Sequence, residues 1–346
     1  MSKTLNVNHK QRSIAVLNLR SPYGLLFSEG KSTVINQEND ISYTAACINC
    51  INPHCMRLDK EEITCSSFTS ISPDMNLAVC PVDAIQIGDK RIEIKQTKCI
   101  GCGMCVQRCP VGALYLKSGK ATHNDNPNAP RNEMPVTKRS ISIQEEYLDK
   151  LGRLEKSGIL RKENDTVMTD IYNKISHLSQ EQQNILARNM MICLGGWASL
   201  SRQGNVYMRM DGFYQTVDQY GVVEIETGLE MLDVSRALLD DVAVVHARYG
   251  IQIDNNHPLA ICLGLPNKRT DYWQVIKDIL KITHLQINTV TFGMLLIFLW
   301  NLEEVNDYDR FYVDVDNSSL RAKAEAFLQR RIHISGGHLG ILENTK

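Results

Sequence analysis

The sequence lacks a long hydrophobic run and an excess of charge of one sign. Its longest apolar run, Phe292 to Trp300, is far shorter than the ~20 residues that a membrane-spanning helix needs, and no hydrophobic stretch follows Met1. The 38 basic and 39 acidic residues give a formal net charge of -1, so any contact with nucleic acid needs a small basic patch or a metal ion. We therefore expect a cytoplasmic protein with no export signal and no membrane contact.

The motifs of several large enzyme classes are also missing. We find no phosphate-binding Walker loop, no serine nucleophile elbow and no flavin fingerprint. The chain has 346 residues, of which 43% are hydrophobic and 22% charged. These values are close to those of soluble globular proteins, so wholesale disorder and fibrous repeats are excluded, and the length predicts two or three domains.

Cysteine is unevenly distributed along the chain. Nine of the eleven cysteines lie between Cys47 and Cys109. A cytosolic chain of this size is not expected to carry a disulfide framework, so the cluster predicts metal ligation. Cys193 and Cys262 lie outside it in apolar patterns, and we interpret them as small buried hydrophobic residues.

The cluster contains two related halves. The second half is a run with spacings of two, two and three residues that ends in Cys-Pro, which is the ligand pattern of bacterial ferredoxins. It consists of Cys99, Cys102, Cys105 and Cys109. The first half consists of Cys47, Cys50, Cys55 and, later, Cys80. The residues after Cys80 and Cys109 match at a period of 29 residues, which indicates an internal duplication.

Over about residues 43–117 the chain therefore resembles the two-cluster 4Fe-4S ferredoxins. In that family each cluster takes its fourth thiolate from the other half of the motif. The resemblance implies one cluster bound by Cys80, Cys99, Cys102 and Cys105. It implies a second cluster bound by Cys47, Cys50, Cys55 and Cys109.

Two alternatives remain for these ligands. Four residues rather than two separate Cys50 from Cys55, and 24 residues follow before Cys80, so Cys65 is a second candidate for the position given to Cys55. A pair of zinc knuckles would also explain paired CxxC units, but it does not explain the two Cys-Pro tails. The redox role of the clusters is left open by the spacing.

The pattern around the cluster predicts four segments. They are a β-rich segment over 1–42, the dicluster ferredoxin domain over 43–117, a linker over 118–142 and an α/β domain over 143–346. The linker is indicated by its glycine, asparagine, proline and charged residues. The expected N-terminal strands are Ser13 to Leu19 and Ser32 to Ile35.

The last segment alternates between helical and strand periods. The expected helices are about 143–163, one opened by the Ser179–Gln182 capping box, one opened by Thr227–Glu230 and ending near Arg248, 270–285 and 319–330. The expected strands are Val206 to Asp211, Gly221 to Glu226, Pro258 to Leu265 and Phe311 to Val315, with a strand turning into a helix over 287–300. Trp197 and Trp300 are expected to pack in the core.

Three carboxylates lie on the polar side of the two central strands. They are Asp211, Glu224 and Glu226. Residues two apart on a strand share a face, and strands joined by a short connection tend to pair, so the three side chains are expected to converge. Hard oxygen ligands of this kind suit Mg²⁺ or Mn²⁺, which activates water and contacts phosphate.

The order of elements over about residues 179–285 resembles the core of the PD-(D/E)xK restriction-endonuclease superfamily. Asp211 is similar to its first acidic position and Glu224 to the second, whereas Glu226 replaces the usual lysine. Lys268, at the end of the buried strand, would supply the missing cation. The resemblance implies an α+β protein with a mixed sheet flanked by helices. It also implies a metal-dependent DNA endonuclease and hydrolase in restriction or mobile-element defence.

Two other interpretations stay open. The carboxylates are also explained as exposed glutamates beside a turn aspartate. The chain would then be an electron-transfer subunit or redox sensor that acts with a partner oxidoreductase chain. Its oligomeric state does not follow from the sequence.

Overall fold

In a computed structural model, the structure describes residues 13–16, 19–20, 26–27, 30–34, 54–87, 92–108, 114–123, 161–201, 209–228, 231–316 and 319–345. These residues form a mixed α+β protein with two compact units, each discontinuous in sequence. Unit 1 takes the described residues within 1–58, 78–162 and 299–303. Unit 2 takes those within 59–77, 163–298 and 304–346. The sequence had predicted continuous domains.

Unit 1 consists of short antiparallel strand pairs. They are β1 (Ser13–Val16) with β4 (Gly30–Val34), β2 (Leu19–Arg20) with β3 (Leu26–Phe27), β5 (Ile85–Ile87) with β6 (Ile92–Ile94), and β7 (Leu114–Lys117) with β8 (Lys120–His123). A single-turn helix, α1 (Met104–Gln107), lies between the last two pairs. Val79, Met104 and Leu114 are almost fully buried in this unit.

The β7–β8 hairpin corrects the predicted linker, because β8 lies inside residues 118–142. Its two-residue connection is Ser118–Gly119, and both residues have positive φ, 50° and 70°. That conformation matches the twist of antiparallel strands, and glycine adopts it without steric cost. The rest of the predicted linker lies outside the described residues. Of the helix expected over about 143–163, residues 143–160 also lie outside them, and residues 161–163 are not helical.

Unit 2 is a five-stranded mixed sheet with helices. Its helices are α2 (Asp165–Ser176), α3 (Gln180–Cys193), α4 (Leu232–Tyr249), α5 (Tyr272–Thr283), α6 (Phe292–Trp300) and α7 (Leu320–Leu328). Leu299 and Trp300, the last two residues of α6, belong to unit 1. Its strands are β9 (Trp197–Leu200), β10 (Gly212–Gln215), β11 (Tyr220–Glu226), β12 (Leu259–Cys262) and β13 (Asn288–Thr291). Short 3-10 helices are Ser66–Phe68, Ile253–Asn255, Asp309–Phe311 and His338–Gly340.

The strand order across the sheet is β13-β12-β11-β10-β9. The pairs β9–β10 and β10–β11 are antiparallel, whereas β11–β12 and β12–β13 are parallel. All four residues of β12 and of β13 are buried, as expected for parallel strands covered on both faces. The predicted buried strand and the predicted strand-to-helix segment over 287–300 are therefore confirmed.

Local capping signals are also confirmed in part. Ser179 caps α3 through a full capping box with Gln182, and the Ser319 side chain caps α7. The Thr227–Glu230 box is wrong as a start for α4. The residue before that helix is Met231, and the Thr227 hydroxyl instead donates to Gln183 Oε1 at 3.0 Å.

Two further strand predictions need correction, and one strand was not predicted. Residues 209–211, the described part of the strand expected over 206–211, are not strand. Strand β10 begins at Gly212, whose Cβ-free backbone passes close to the Ser199 carbonyl. Residues 202–208 lie outside the described ranges. The unpredicted strand β9 forms one edge of the sheet and leaves Trp197 36% exposed. Trp300, in contrast, is fully buried as expected.

The chain around Phe311 is a 3-10 turn rather than the predicted strand. Asp309 explains the turn, because its carboxylate accepts from Asn288 Nδ2 at 2.5 Å and contacts His257 Nδ1 at 2.7 Å. These bonds fix the backbone beside the start of β13, and the turn then buries Phe311 completely. An extended strand here would break them.

The segment 59–77 accounts for the long spacing between Cys55 and Cys80. It belongs to unit 2, where Phe68 stacks on Phe213 with ring centroids 4.7 Å apart. The buried Arg188 donates to the Asn76 carbonyl at 2.7 Å. The insertion is therefore packed against the sheet of unit 2 instead of extending the cysteine motif.

Within the described part of the chain, none of the helices is long and apolar enough to cross a membrane.

Candidate functional site

Four cysteines of unit 1 line one small, partly open cavity. They are Cys80, Cys99, Cys102 and Cys105, the set that the ferredoxin resemblance assigns to one cluster. The rest of the wall is mainly apolar and includes Val79, Ile85 and Ile100. A cavity with four thiols and an apolar shell is the donor set that a 4Fe-4S cluster requires.

Backbone amides point at the sulfur atoms of this cavity. The Ala84 N–H donates to Cys80 Sγ at 3.2 Å, and the Ala121 N–H donates to Cys99 Sγ at 3.3 Å. Burial raises the pKa of the Cys80 thiol, and hydrogen bonds from nearby amides oppose that rise. Bound iron would stabilise the thiolates further, because a coordinated thiol is deprotonated. The residues present therefore fit the cluster.

Gly101 permits the tight turn between the first two cysteines of the run. Its φ is +77°, and a Cβ at this position would lie 2.0 Å from the Gly119 carbonyl oxygen. Any side chain would therefore be strained and would also displace the β7–β8 connection. The glycine is a steric requirement of the cysteine loop.

Two residues that sequence reasoning missed as site residues hold this loop. Arg161 Nη1 donates to the Gly101 carbonyl at 3.0 Å, and the Trp300 indole N–H donates to the Cys102 carbonyl at 2.8 Å. The Arg161 guanidinium also lies 5.2 Å from the centroid of the Trp300 ring. Both residues lie far from the motif in sequence, so spacing offered no signal for them.

The remaining proposed cluster ligands are only partly described. Cys55 is 2% exposed and belongs to unit 1, whereas Cys47, Cys50 and Cys109 lie outside the described residues. Cys65 belongs to unit 2, with its Sγ 3.9 Å from Ser199 Oγ. Burial raises the pKa of the Cys65 thiol to about 12. Cys65 lies in a different unit from Cys55 and the other described cysteines of the cluster motif.

In unit 2, Asp211 and Glu224 lie next to each other across the β10–β11 pair. The Asp211 N–H donates to Glu224 Oε1 at 3.3 Å, and the Ile225 N–H donates to Asp211 Oδ2 at 2.8 Å. Asn184 Nδ2 donates to Asp211 Oδ1 at 3.1 Å. The carboxylate of Asp211 is therefore held in one orientation by donors from a strand and a helix.

Glu226 lies two residues further along β11, on the same face as Glu224. Its Oε1 accepts from the Gly228 N–H at 2.5 Å. Burial raises the pKa of Asp211, hydrogen bonds from Ile225 and Asn184 oppose the rise, and the negative charge of Glu226 adds to it. Asp211 is therefore close enough to feel the charge of Glu226, and each of the three carboxylate residues remains partly exposed.

Asp241 is a fourth carboxyl that sequence reasoning missed. It lies on α4, is 1% exposed and is in hydrogen-bond contact with Glu224. Burial raises the pKa of both groups, and the negative charge of Asp211 raises them further. Its position was visible in the sequence, since an acid between Leu238 and Val242 interrupts the apolar stripe of the helix.

The predicted cation Lys268 and Arg209, two residues before Asp211, are less well placed. Lys268 is exposed in the loop after β12, and among the residues described no hydrogen bond or ion pair joins it to the carboxylates. Arg209 is exposed and lies 3.5 Å from the Asp240 carboxylate. The structure therefore places Asp211 in contact with Glu224, and the roles of Glu226 and Lys268 stay predictions.

Within the described ranges, no three His, Cys, Asp or Glu side chains converge as ligands of one metal ion. The three-carboxylate metal site expected from the sequence is therefore not found as one set of ligands among these residues.

Comparison with known proteins supports the iron-sulfur site. Residues 92–115 match the family model described as 4Fe-4S binding domain. The chain is 45% identical over 40 residues to an uncharacterized ferredoxin of Methanocaldococcus jannaschii, covering 12% of this chain and 26% of that protein. It is 48% identical over 42 residues to the putative electron transport protein YsaA of Escherichia coli, covering 12% and 27%. The chain thus contains a ferredoxin-like 4Fe-4S module and spans about a quarter of these relatives.

A solved structure of the restriction endonuclease FokI bound to DNA is similar to 64% of this chain and 39% of its own chain, with 12% identity and a TM-score of 0.28. A likeness this low carries no argument about fold or function.

Proposed function

We propose that this chain is an iron-sulfur protein whose unit 2 is a Mg²⁺- or Mn²⁺-dependent DNA endonuclease of the PD-(D/E)xK type. The observation that carries the proposal is the contact between Asp211 and Glu224 across β10 and β11, with Glu226 beside them. Buried acids with raised pKa values, partly open to solvent, are typical of sites that bind a cation or move protons.

The proposed chemistry assigns each residue a task. Asp211 and Glu224 would hold the cation, which supplies an activated water and neutralises charge on the phosphate. Asn184 and the Ile225 amide keep the Asp211 carboxylate oriented. Glu226 replaces a lysine at this position of the motif, so a cation from elsewhere has to approach the phosphate. Lys268, exposed on the loop after β12, is our candidate.

The iron-sulfur module would carry two 4Fe-4S clusters. The first occupies the cavity formed by Cys80, Cys99, Cys102 and Cys105. The second would use Cys55 together with Cys47, Cys50 and Cys109. In a nuclease these clusters serve as scaffold or as a redox switch, and a role in restriction or mobile-element defence in the cytoplasm follows from the nuclease proposal alone.

Electron transfer is a second candidate function, favoured by the cysteine-lined cavity of unit 1 and by the relative named as a putative electron transport protein. In this function the chain would pass electrons to or from a partner oxidoreductase. It predicts a reversible cluster couple and no hydrolysis.

Cleavage of supercoiled plasmid by anaerobically purified protein tests the proposal. We expect nicking or linearisation with Mg²⁺ or Mn²⁺, none with chelator, and loss of cleavage in Asp211→Asn and Glu226→Gln with iron content unchanged. Asp218→Asn is the matched control, because Asp218 is exposed on the β10–β11 connection. Absence of cleavage on both single- and double-stranded DNA, with a reversible couple present, would favour electron transfer.

A further inference from the structure

Two buried acceptor oxygens beside the Asp211–Glu224 contact have no hydrogen-bond partner among the described residues. They are Asp241 Oδ2 and Asn184 Oδ1. Leaving a buried polar atom unpaired costs ~1–3 kcal/mol, and more for a charged group. Each lies on a residue that already contacts one member of the carboxylate pair. Unpaired acceptors at one place indicate a missing donor or cation.

The amide of Asn184 has only one reasonable orientation. Its Nδ2 donates to Asp211 Oδ1 at 3.1 Å. Reversing the amide would bring its oxygen against the carboxylate oxygen and lose that bond. The unpaired atom is therefore an oxygen, as it is in Asp241.

Two ionised carboxylates in contact repel each other, so a proton or a cation has to lie between Glu224 and Asp241. A bridging proton satisfies one oxygen of each group and leaves Asp241 Oδ2 unpaired. A divalent cation is coordinated by carboxylates through one or both oxygens, so it can also satisfy the second oxygen of Asp241. The unpaired atom therefore favours a cation over a proton in the working protein.

We propose that Asp241 is a ligand of the divalent cation at this site, and that the cation lies between Glu224 and Asp241. This inference rests on the proposed function and refines it: Glu224 and Asp241 bind the ion directly, and Asp211, in contact with Glu224, acts on it through the water in its shell. Two protein carboxylates completed by water and phosphate oxygens satisfy Mg²⁺.

A structural role for Asp241 makes a different prediction. If the Glu224–Asp241 contact only ties α4 to β11, replacing Asp241 should lower thermal stability without metal and leave cation affinity unchanged. If Asp241 is a ligand, Asp241→Asn should keep the metal-free stability, because an amide can still donate to Glu224. Its affinity for the cation should fall.

Mn²⁺ binding to the full-length holoprotein, with its clusters oxidised, measures this affinity through the electron paramagnetic resonance signal of free Mn²⁺. We expect Asp241→Asn to weaken binding by ~10-fold or more. The matched control is Asp240→Asn, which makes the same change at the next residue, where the side chain is exposed and pairs with Arg209 at 3.5 Å. If Asp241→Asn does not fold, Asp241→Leu is measured in its place, because leucine continues the apolar stripe of α4.

The outcomes separate this inference from the proposed function. Weakened Mn²⁺ binding in the Asp241 variant with normal binding in Asp240→Asn supports the inference, even if the protein cuts no DNA. Binding within twofold of the wild type overturns the inference, and metal-dependent cleavage that needs Asp211 would still support the nuclease. A wild-type protein that binds no more Mn²⁺ than Asp241→Asn overturns the inference as well.

Discussion

Cys55 and Cys65 provide a matched pair of substitutions that tests which thiol binds the second cluster. The Cys65 Sγ lies 3.9 Å from Ser199 Oγ in unit 2, and burial raises the pKa of this thiol to about 12. Cys65 therefore behaves as a packed apolar group.

We expect Cys65→Ser to retain all iron and sulfide, and Cys55→Ser to lose about half of it, since one of two 4Fe-4S clusters loses a ligand. Cys65→Ser should also lower the free energy of unfolding by ~1–2 kcal/mol, because a buried hydroxyl replaces an apolar thiol. Iron and sulfide analysis of anaerobically purified protein, with the visible absorbance of the clusters, measures the first effect. Loss of iron in Cys65→Ser together with full iron in Cys55→Ser would refute the reasoning.

Other substitutions test the rest of the structure. Gly101→Ala should abolish the first cluster, seen as lost iron, because its Cβ would lie 2.0 Å from the Gly119 carbonyl oxygen; normal iron content would contradict the steric argument. Trp300→Phe removes the indole bond to the Cys102 carbonyl, and we expect faster iron release to a chelator, whereas an unchanged rate would show that the bond does not hold the loop. Arg330→Met should lower the free energy of unfolding by ~3–5 kcal/mol at pH 7, since it leaves the 1%-exposed side chain of Glu163 without its two guanidinium bonds. Burial raises the pKa of Glu163, but the Arg330 and His333 hydrogen bonds outweigh it and lower the pKa overall. The stabilisation from this ion pair is therefore present above the unfolded pKa of Glu163 and is lost as the pH falls through the folded pKa. A difference in urea unfolding between wild type and Arg330→Met that does not depend on pH would contradict that assignment.

The sequence predicted best where local chemistry decides the structure. The four apolar residues at 259–262 are all buried only when both faces of the strand are covered. The Ser179–Gln182 box pairs hydrogen-bond donors and acceptors within one helical turn. The cysteine spacing was equally informative, since close thiolates wrap one cluster. In each case the interacting residues lie close together in the sequence, or the residue type is stable in only one environment, such as the apolar core.

The missed features depend on contacts between distant residues. Asp241 joins the carboxylates only because α4 packs beside β11, and Trp300 reaches the Cys102 carbonyl from 198 residues away. The edge strand at Trp197 and the turn at Asp309 likewise follow from what lies beside them in the sheet. Hydrophobic periodicity contains no information about such partners.

The single-turnover cleavage rate of Glu224→Gln tests whether unit 2 hydrolyses a phosphodiester with a divalent cation bound by its carboxylates. Glutamine has the same shape as glutamate, but its amide cannot bind the cation as a carboxylate does. With iron content and thermal stability equal to the wild type, we predict a fall in the Mn²⁺-dependent rate of ~100-fold or more. A rate within twofold of the wild type would show that the Glu224 carboxylate does not take part in the cleavage.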